Sequence, residues 1–208
     1  MSQPSLDLVA IVIPLAIVLM SLTVHEAAHA WSADRLGDPT ARMLGRISLN
    51  PIVHIDPIGT IVLPLISALT NLPLLGWAKP VPVNMSRFKH PRRDFAIVAA
   101  AGPASNLAMA AIGGVLLLAL TPREGLDAYD IIRRAATINI LLAVFNLIPV
   151  PPLDGGNVLM GLLPGPAAAA VETLRPFGFV ILYALIFTGV LGDIIFPIAD
   201  FLTRWLIP

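Results

Sequence analysis

The apolar N-terminal part of the chain ends in the stretch Leu22-Thr23-Val24-His25-Glu26-Ala27-Ala28-His29-Ala30-Trp31, which contains the pattern H-E-x-x-H. On a helix, residues four positions apart share a face, so His25 and His29 can direct their imidazoles at one point. Two neutral imidazoles at this spacing form half of a zinc site. Glu26 lies one helical step away, where its carboxylate can accept a proton from a water bound to the metal. The alternative is a pair of histidines at the headgroups of a membrane helix, which would leave Glu26 as an unpaired charge near hydrocarbon.

The composition predicts an integral membrane protein that forms a single domain over residues 1–208. Of its 208 residues, 57% are hydrophobic and 12% are charged, about half of the roughly 25% typical of soluble domains. The net charge is zero, so no nucleic-acid partner is expected. Because the chain has no cysteine, a metal must be held by His, Asp or Glu. Its 20 prolines predict broken helices and non-helical segments at membrane depth.

Hydropathy predicts an all-α polytopic helical bundle of about four spans, with an additional re-entrant or short β segment. The predicted spans are 6–36, 95–121, 135–148 and a C-terminal extra span at 177–196, followed by a tail at 197–208 in which Trp205 is an interface anchor. Gly37 is expected at the C′ position after the first span. A mixed-charge loop is expected at 122–134.

Two further segments have sequences unsuited to a regular span. Prolines and glycines interrupt the apolar residues 57–76, which predicts that this segment is re-entrant. A short strand or hairpin is expected at 43–49, and the alternating prolines of 77–84 favour an extended chain able to act as an edge strand.

The distribution of basic residues predicts the orientation of the chain. The basic stretch 85–94 should be cytoplasmic. With Arg35 also placed there and 57–76 re-entrant, nine of the 13 Lys and Arg residues lie inside and four outside. This bias predicts a multi-pass protein of the inner cell membrane with its active site toward the cytoplasmic side.

Asp154 is the best candidate for a third metal ligand among the few remaining acidic residues. It follows a helix broken by three prolines and precedes Gly155-Gly156, so the backbone can turn toward a neighbouring helix. An acidic residue among apolar segments also needs a cation. The alternative, which the spacing leaves open, is that Asp154 is the N-cap of a short helix resuming at 157–163.

Three motifs together carry a resemblance to a known family. They are H-E-x-x-H, the sequence Ala101-Gly102-Pro103-Ala104-Ser105-Asn106 that opens a second span, and Asn146-Leu147-Ile148-Pro149-Val150-Pro151-Pro152-Leu153-Asp154-Gly155-Gly156. In this order, over a core of about 8–163, they resemble the site-2 protease family of intramembrane zinc metalloproteases, and the segments 50–59 and 76–84 are similar to its small prokaryotic branch. Unlike larger members, the chain has no PDZ domain between the motif helices, and no CBS domain is expected after them.

The resemblance implies a function and a set of site residues. His25, His29 and Asp154 would hold one Zn²⁺ per chain, Glu26 would be the catalytic base, and Asn146 would position the substrate or the oxyanion. The implied partners are the lipid bilayer and a transmembrane protein or peptide substrate, whose identity and regulation the sequence does not give. The oligomeric state is equally open.

Two other functions are considered beside proteolysis. One is a non-catalytic zinc-binding module that holds membrane helices in a chaperone-like way, which should have lost the base Glu26. The other is a zinc transporter, which calls for polar ligands along a pathway. Three residues outside the motif chemistry are assigned as follows: His54 lines the cleft or stabilises a turn, while Ser105 and Asn106 join helices.

Overall fold

The computed structural model describes residues 8–70, 76–120 and 128–208, and these parts of the chain are helical with irregular connections. Their α-helices are α1 Leu8–Arg35, α2 Thr40–Met43, α3 Leu63–Thr70, α4 Pro91–Leu117, α5 Ala128–Asn146, α6 Asp154–Leu162, α7 Gly165–Glu172, α8 Gly178–Phe187 and α9 Val190–Leu206. Within the described ranges, 3 helical stretches are long and apolar enough to cross a membrane, namely Val12–Arg35, Pro91–Leu117 and Gly165–Phe187. The chain is a multi-pass membrane protein, as its composition predicts.

The first helix ends where the sequence predicts. Gly37 has a φ of 110°, in the left-handed region that glycine adopts at a C′ position. Its N–H donates to the Asp34 carbonyl at 3.2 Å, and the N–H of Asp38 donates to the Ala33 carbonyl at 2.9 Å. These two bonds close the last turn of α1 and place His29 about two turns before its polar end.

Helix α4 is the centre of the bundle, because it packs against α1, α5 and α6. Small residues make this possible: a Cβ added to Gly113 would lie 3.1 Å from the Cβ of Ala136 on α5. The main hydrophobic core lies between α4, α5, α8 and α9 and includes Ala110, Leu117, Ile140, Val144, Leu182, Leu191 and Ile195. This core fixes α4, which contacts both α1 and α6, the helices that carry the predicted metal ligands.

The proline-interrupted segment forms a short helix. A π-helical stretch, Pro57–Val62, of six residues leads into α3 of eight residues, and the Asp56 carboxylate caps the start by accepting from the N–H groups of Ile58 and Gly59. At 1.5 Å per residue this helix is about 20 Å long, less than the roughly 30 Å of a bilayer core. The described part of 57–76 is thus too short for a crossing, and 71–75 lie outside the described residues.

The Asp38 carboxylate joins the loop after α1 to residues 84–87. Its Oδ2 accepts from the backbone N–H of Asn84 at 2.6 Å, and its Oδ1 accepts from the N–H of Thr40 at 3.1 Å and from the Thr40 hydroxyl at 2.5 Å. Arg87 approaches the same carboxylate at 3.9 Å. Residues 38 and 84 are therefore neighbours in space. The segment 39–83 thus begins and ends on the side of the bundle at which α1 ends.

Replacing Asp38 by Asn is expected to lower the free energy of unfolding at neutral pH by roughly 1–3 kcal/mol, because the N–H groups of Thr40 and Asn84 lose a charged acceptor that is itself buried. Burial alone would raise the pKa of the Asp38 carboxyl, but the hydrogen bonds from Thr40 and Asn84 hold that pKa below its usual value. The pKa is therefore lower in the folded chain, so the stabilisation is complete above the unfolded pKa, near 4, and is lost as the pH falls through the folded pKa.

Thermal unfolding in detergent at pH 7 and at about pH 3 measures this difference, with the exposed Asp193→Asn as the control. Equal unfolding temperatures of the parent and the Asp38 variant at pH 7 would contradict the expectation.

The predicted β segment is wrong for the described parts of the chain, which contain no strand. At 43–49, α2 ends at Met43, Gly45 turns the chain with a φ of 67°, and the N–H of Arg46 bonds back to the Ala41 carbonyl at 2.8 Å. The segment 76–84 is extended, but its N–H groups bond to the carbonyls of two short helical stretches and to the carboxylates of Glu26 and Asp38, so it is paired with no strand.

The C-terminal part also differs from the prediction. The expected span 177–196 is interrupted at Gly189, whose φ of 81° breaks the helix between α8 and α9. The expected tail 197–208 is helical as far as Leu206, because α9 continues through it. The expected span 135–148 corresponds to α5, whose 19 residues include Asp130, Arg133 and Arg134, and it is not among the three helical stretches that are both long and apolar enough to cross a membrane. Of the expected loop 122–134, residues 122–127 lie outside the described chain, and 128–134 belong to α5.

Candidate metal centre

Three predicted site residues meet inside the bundle. His25 and His29 lie one turn apart on α1, and their Nε2 atoms are 3.0 Å apart. The Oδ2 atom of Asp154, in the first turn of α6, lies 3.1 Å from Nε2 of His25 and 3.3 Å from Nε2 of His29. Both histidines are buried, and the Asp154 side chain is only 16% exposed. The three ligand atoms thus form a small, nearly equilateral triangle.

The triangle has the dimensions that a metal ion requires. Ligand atoms about 2.0–2.1 Å from a tetrahedral zinc ion are about 3.3 Å from one another. The Oδ2 atom of Asp154 is buried and has no hydrogen-bond donor. Both histidines donate through Nδ1, so in the neutral rings each Nε2 carries a lone pair. Three lone-pair atoms that face one another in a buried site repel, and a cation would stabilise them; the cluster could therefore bind a metal ion.

Helix α4 supplies the partners that orient the two rings. The Nδ1–H of His29 donates to the Val98 carbonyl at 2.7 Å. The Nδ1–H of His25 donates to Oδ1 of Asn106 at 2.6 Å. Such outer hydrogen bonds fix the tautomer and direction of metal-binding histidines. The sequence assigned Asn106 only to helix packing; its partner is 81 positions away, and local spacing gives no signal for such a contact.

Gly102 leaves the space in front of the two imidazoles open. A Cβ at this position would lie 2.4 Å from Nε2 of His29 and 2.6 Å from Nε2 of His25. Any larger residue would fill the point toward which the ligand atoms are directed. The glycine of the Ala-Gly-Pro motif is therefore required by the site, in addition to any role in helix packing.

Asp154 is not an N-cap, so that alternative is wrong. The N-cap of α6 is Leu153, and the helix begins without a side-chain cap. Instead, the two glycines that follow allow the turn before α6 to pack against the start of this helix. A Cβ on Gly155 would lie 2.2 Å from the Leu147 carbonyl oxygen, and one on Gly156 would lie 2.6 Å from the Pro151 nitrogen. Close approach of the backbone, rather than flexibility, directs Asp154 at the histidines.

Glu26 follows His25 on α1 and is held from the opposite side by the extended segment 76–84. Its Oε2 accepts from the N–H of Val81 at 3.1 Å. The segment is itself fixed, because the Lys79 N–H donates to the His54 carbonyl at 2.8 Å and the buried Arg46 guanidinium donates to the Lys79 carbonyl. The carboxylate beside the metal cluster is thus bound to an anchored backbone amide.

The remaining polar residues lie outside the triangle. Nδ2 of Asn146 donates to the Leu142 carbonyl of its own helix at 2.9 Å, so the substrate role implied for Asn146 stays a prediction. His54 is buried and donates from Nε2 to the Ser48 carbonyl at 2.9 Å, which stabilises the 48–54 turn. Of the described residues, only His25, His29 and Asp154 form a group able to hold a metal.

This geometry joins two histidines on α1, a helix long and apolar enough to cross a bilayer, to an aspartate on the short helix α6, and it defines a candidate metal centre in a membrane protein. Comparison with known proteins gives the family. The family model described as Peptidase family M50 matches residues 123–185. The chain is 37% identical over 192 residues to "Putative zinc metalloprotease YwhC" of Bacillus subtilis, covering 88% of this chain and 84% of that protein.

Two mycobacterial proteins are also similar. "Putative zinc metalloprotease Rip2" of Mycolicibacterium smegmatis is 34% identical over 179 residues, which is 84% of this chain and 66% of that protein. Rip2 of Mycobacterium tuberculosis H37Rv is 32% identical over 190 residues, covering 88% and 70%. No solved structure matches the chain. The chain belongs to peptidase family M50, the site-2 protease family of zinc metalloproteases, which confirms the resemblance carried by its three motifs.

Proposed function

We propose that the chain is an intramembrane zinc metalloprotease that hydrolyses peptide bonds in or near the transmembrane segments of other membrane proteins. The observation that carries this proposal is the convergence of His25, His29 and Asp154, with separations of 3.0–3.3 Å, at the turn of α1 that also carries Glu26. The chain's own residues would hold one Zn²⁺ per chain through two imidazoles and one carboxylate, the ligand set of a catalytic zinc site with an open position.

A bound zinc ion supplies a Lewis acid, which lowers the pKa of water toward neutrality and polarises a peptide carbonyl. Glu26 accepts the proton of the attacking water and passes it to the nitrogen of the leaving amine. The Val81 amide holds Oε2 of Glu26 at 3.1 Å, so we assign Oε1 to the proton transfer. Asn146 uses one of its two N–H groups on its own helix, and the second can donate to the substrate carbonyl oxygen.

The orientation of the chain follows from the contacts around α1. The end of this helix packs against Phe88, which lies within the basic stretch 85–94, and Asp38 binds Asn84 just before that stretch. Both lie on one side of the bundle, and basic loops are retained in the cytoplasm. We therefore place the metal centre toward the cytoplasmic side of the inner membrane and take 57–76 as re-entrant.

The membrane sets a specific requirement on the substrate. The carbonyls of a transmembrane helix are hydrogen-bonded within the helix, so the helix must unwind locally before water can attack. Residues that weaken a helix near the cytoplasmic end of the span should therefore favour cleavage.

The test uses proteoliposomes with two transmembrane substrates that differ only by Gly-Gly or Leu-Leu near the cytoplasmic end of the span. Two glycines weaken the helix by about 2 kcal/mol, so we expect the Gly-Gly substrate to be cut on the order of tenfold faster. Removal of zinc with a chelator should stop both reactions, and zinc should restore them.

The same preparation distinguishes the other functions. A chain that retains one zinc ion and cuts neither substrate is a non-catalytic binding module. A chain that carries zinc across the vesicle membrane is a transporter, although the described residues contain one metal-binding cluster and no series of such clusters along a path. Either result would overturn the proposal.

A further inference from the structure

The two histidines are oriented by partners of different kinds. His29 donates to the Val98 carbonyl, which can only accept a hydrogen bond. His25 faces the side-chain amide of Asn106, which can present either its carbonyl oxygen or its NH₂ group. If the NH₂ group faced His25, the ring would be favoured with its proton on Nε2, the atom that points at the metal cluster. The orientation of the Asn106 amide therefore decides whether His25 can bind a metal.

A chain of hydrogen bonds determines this orientation from helix α5. Nδ2 of Asn139 donates to the Ala135 carbonyl at 2.9 Å, and because a carbonyl only accepts, the NH₂ group of Asn139 must lie on this side. The other end of the amide, Oδ1, then accepts from Nδ2 of Asn106 at 2.7 Å. This leaves Oδ1 of Asn106 to accept from Nδ1 of His25.

The two amide side chains of this hydrogen-bonded series are enclosed by protein. Asn106 is 0% exposed and Asn139 is 4% exposed, so bulk water is not available to replace a lost partner. Ser21 of α1 accepts a second hydrogen bond from Asn139 at 2.9 Å, but its hydroxyl can donate as well as accept and cannot define a direction by itself. The backbone carbonyl of Ala135 is the fixed end of the series.

We propose that Asn139 is a positioning residue for the metal centre: by orienting the Asn106 amide, it places the proton of His25 on Nδ1 and leaves the Nε2 lone pair for the metal. The inference rests on the proposed metal centre, and it adds a residue that belongs to none of the three motifs. It also ties α5, through α4, to the metal-binding face of α1.

Two variants of Asn139 separate positioning from packing. Asn139→Leu has a similar size and no polar atoms, so Asn106 is free to reverse its amide. In Asn139→Asp both side-chain oxygens accept, so Asn106 must keep its NH₂ group toward position 139. Both changes remove the donor to Ala135 and should reduce stability, but only the Leu variant should release the orientation of Asn106.

The readout is the ¹⁵N spectrum of histidine-labelled, zinc-free full chain, taken at a pH at which the rings are neutral, together with the zinc dissociation constant. In the parent and in Asn139→Asp we expect His25 to carry its proton on Nδ1. In Asn139→Leu a substantial fraction should move to Nε2, and zinc affinity should fall roughly 10- to 100-fold. His29, held by a carbonyl, should keep its tautomer in all three proteins and serves as the internal control.

Three results would overturn the inference: an Nε2 proton on His25 in the parent, an unchanged tautomer in Asn139→Leu, or equal losses of zinc affinity in the two variants. The first needs no variant, so the test stands even if Asn139→Leu does not fold. A chain that binds zinc but cuts no substrate would contradict the proposed proteolysis. It would not contradict the inference about Asn139, which the His25 tautomer tests separately.

Discussion

The Glu26→Gln variant is expected to retain one zinc ion per chain and to cleave a transmembrane substrate at least about 10²- to 10⁴-fold more slowly than the parent. The amide has nearly the same shape as the carboxylate, so His25 and His29 should keep their positions on α1. Gln cannot accept a proton from water, however, and the N–H of Val81 at 3.1 Å can still donate to its carbonyl oxygen. The change therefore removes proton transfer but keeps the metal ligands and the hydrogen bond from Val81.

A matched control is Glu172→Gln, which makes the same substitution at an exposed residue paired with Arg175 at 2.9 Å. This control should cleave at the parental rate. Zinc content, measured on the same samples, separates loss of the base from loss of the metal. If Glu26→Gln cuts as fast as the parent, the assignment of Glu26 as the base is wrong.

The Gly102→Ala variant should lose metal binding although it adds only one methyl group. The new Cβ would lie 2.4 Å from Nε2 of His29 and 2.6 Å from Nε2 of His25, where an ion would have to sit. We expect zinc affinity to fall by more than the roughly 10- to 100-fold that loss of an outer hydrogen bond causes. Alanine favours a helix over glycine, so α4 itself should not be weakened by the exchange.

The matched control for this change is Gly113→Ala on the same helix, whose new Cβ would meet the Cβ of Ala136 at 3.1 Å, away from the site. Equilibrium dialysis with zinc compares the two variants. A Gly102→Ala protein with parental zinc affinity would show that the ion does not lie between the two imidazoles and α4.

The parts of the site that depend on local geometry could be predicted from the sequence. The spacing of His25 and His29 places both imidazoles on one face of a helix, and Glu26 belongs to the same short motif. Asp154 could be selected because it is an acid among apolar segments, but its spacing alone also allowed an N-cap. The structure removes that alternative, since α6 starts without a side-chain cap and the carboxylate lies 3.1 Å from His25.

Contacts between distant parts of the chain could not be predicted. Asn106 and Asn139 are 33 positions apart, and no periodicity indicates that their amides meet. The same holds for Val81 and Glu26, which are 55 positions apart. The boundaries of the C-terminal helices were wrong because hydropathy is insensitive to one residue in the left-handed region, and Gly189 ends α8 in the middle of an apolar sequence.

The most direct test of the account is the number of zinc ions that the full chain retains after dialysis, measured on the parent and on Asp154→Ala. If His25, His29 and Asp154 hold one ion, the parent retains one tightly bound zinc per chain, Asp154→Ala loses it, and the exposed control Asp200→Ala retains it. An Asp154→Ala protein that still holds one zinc ion with parental affinity would contradict the account.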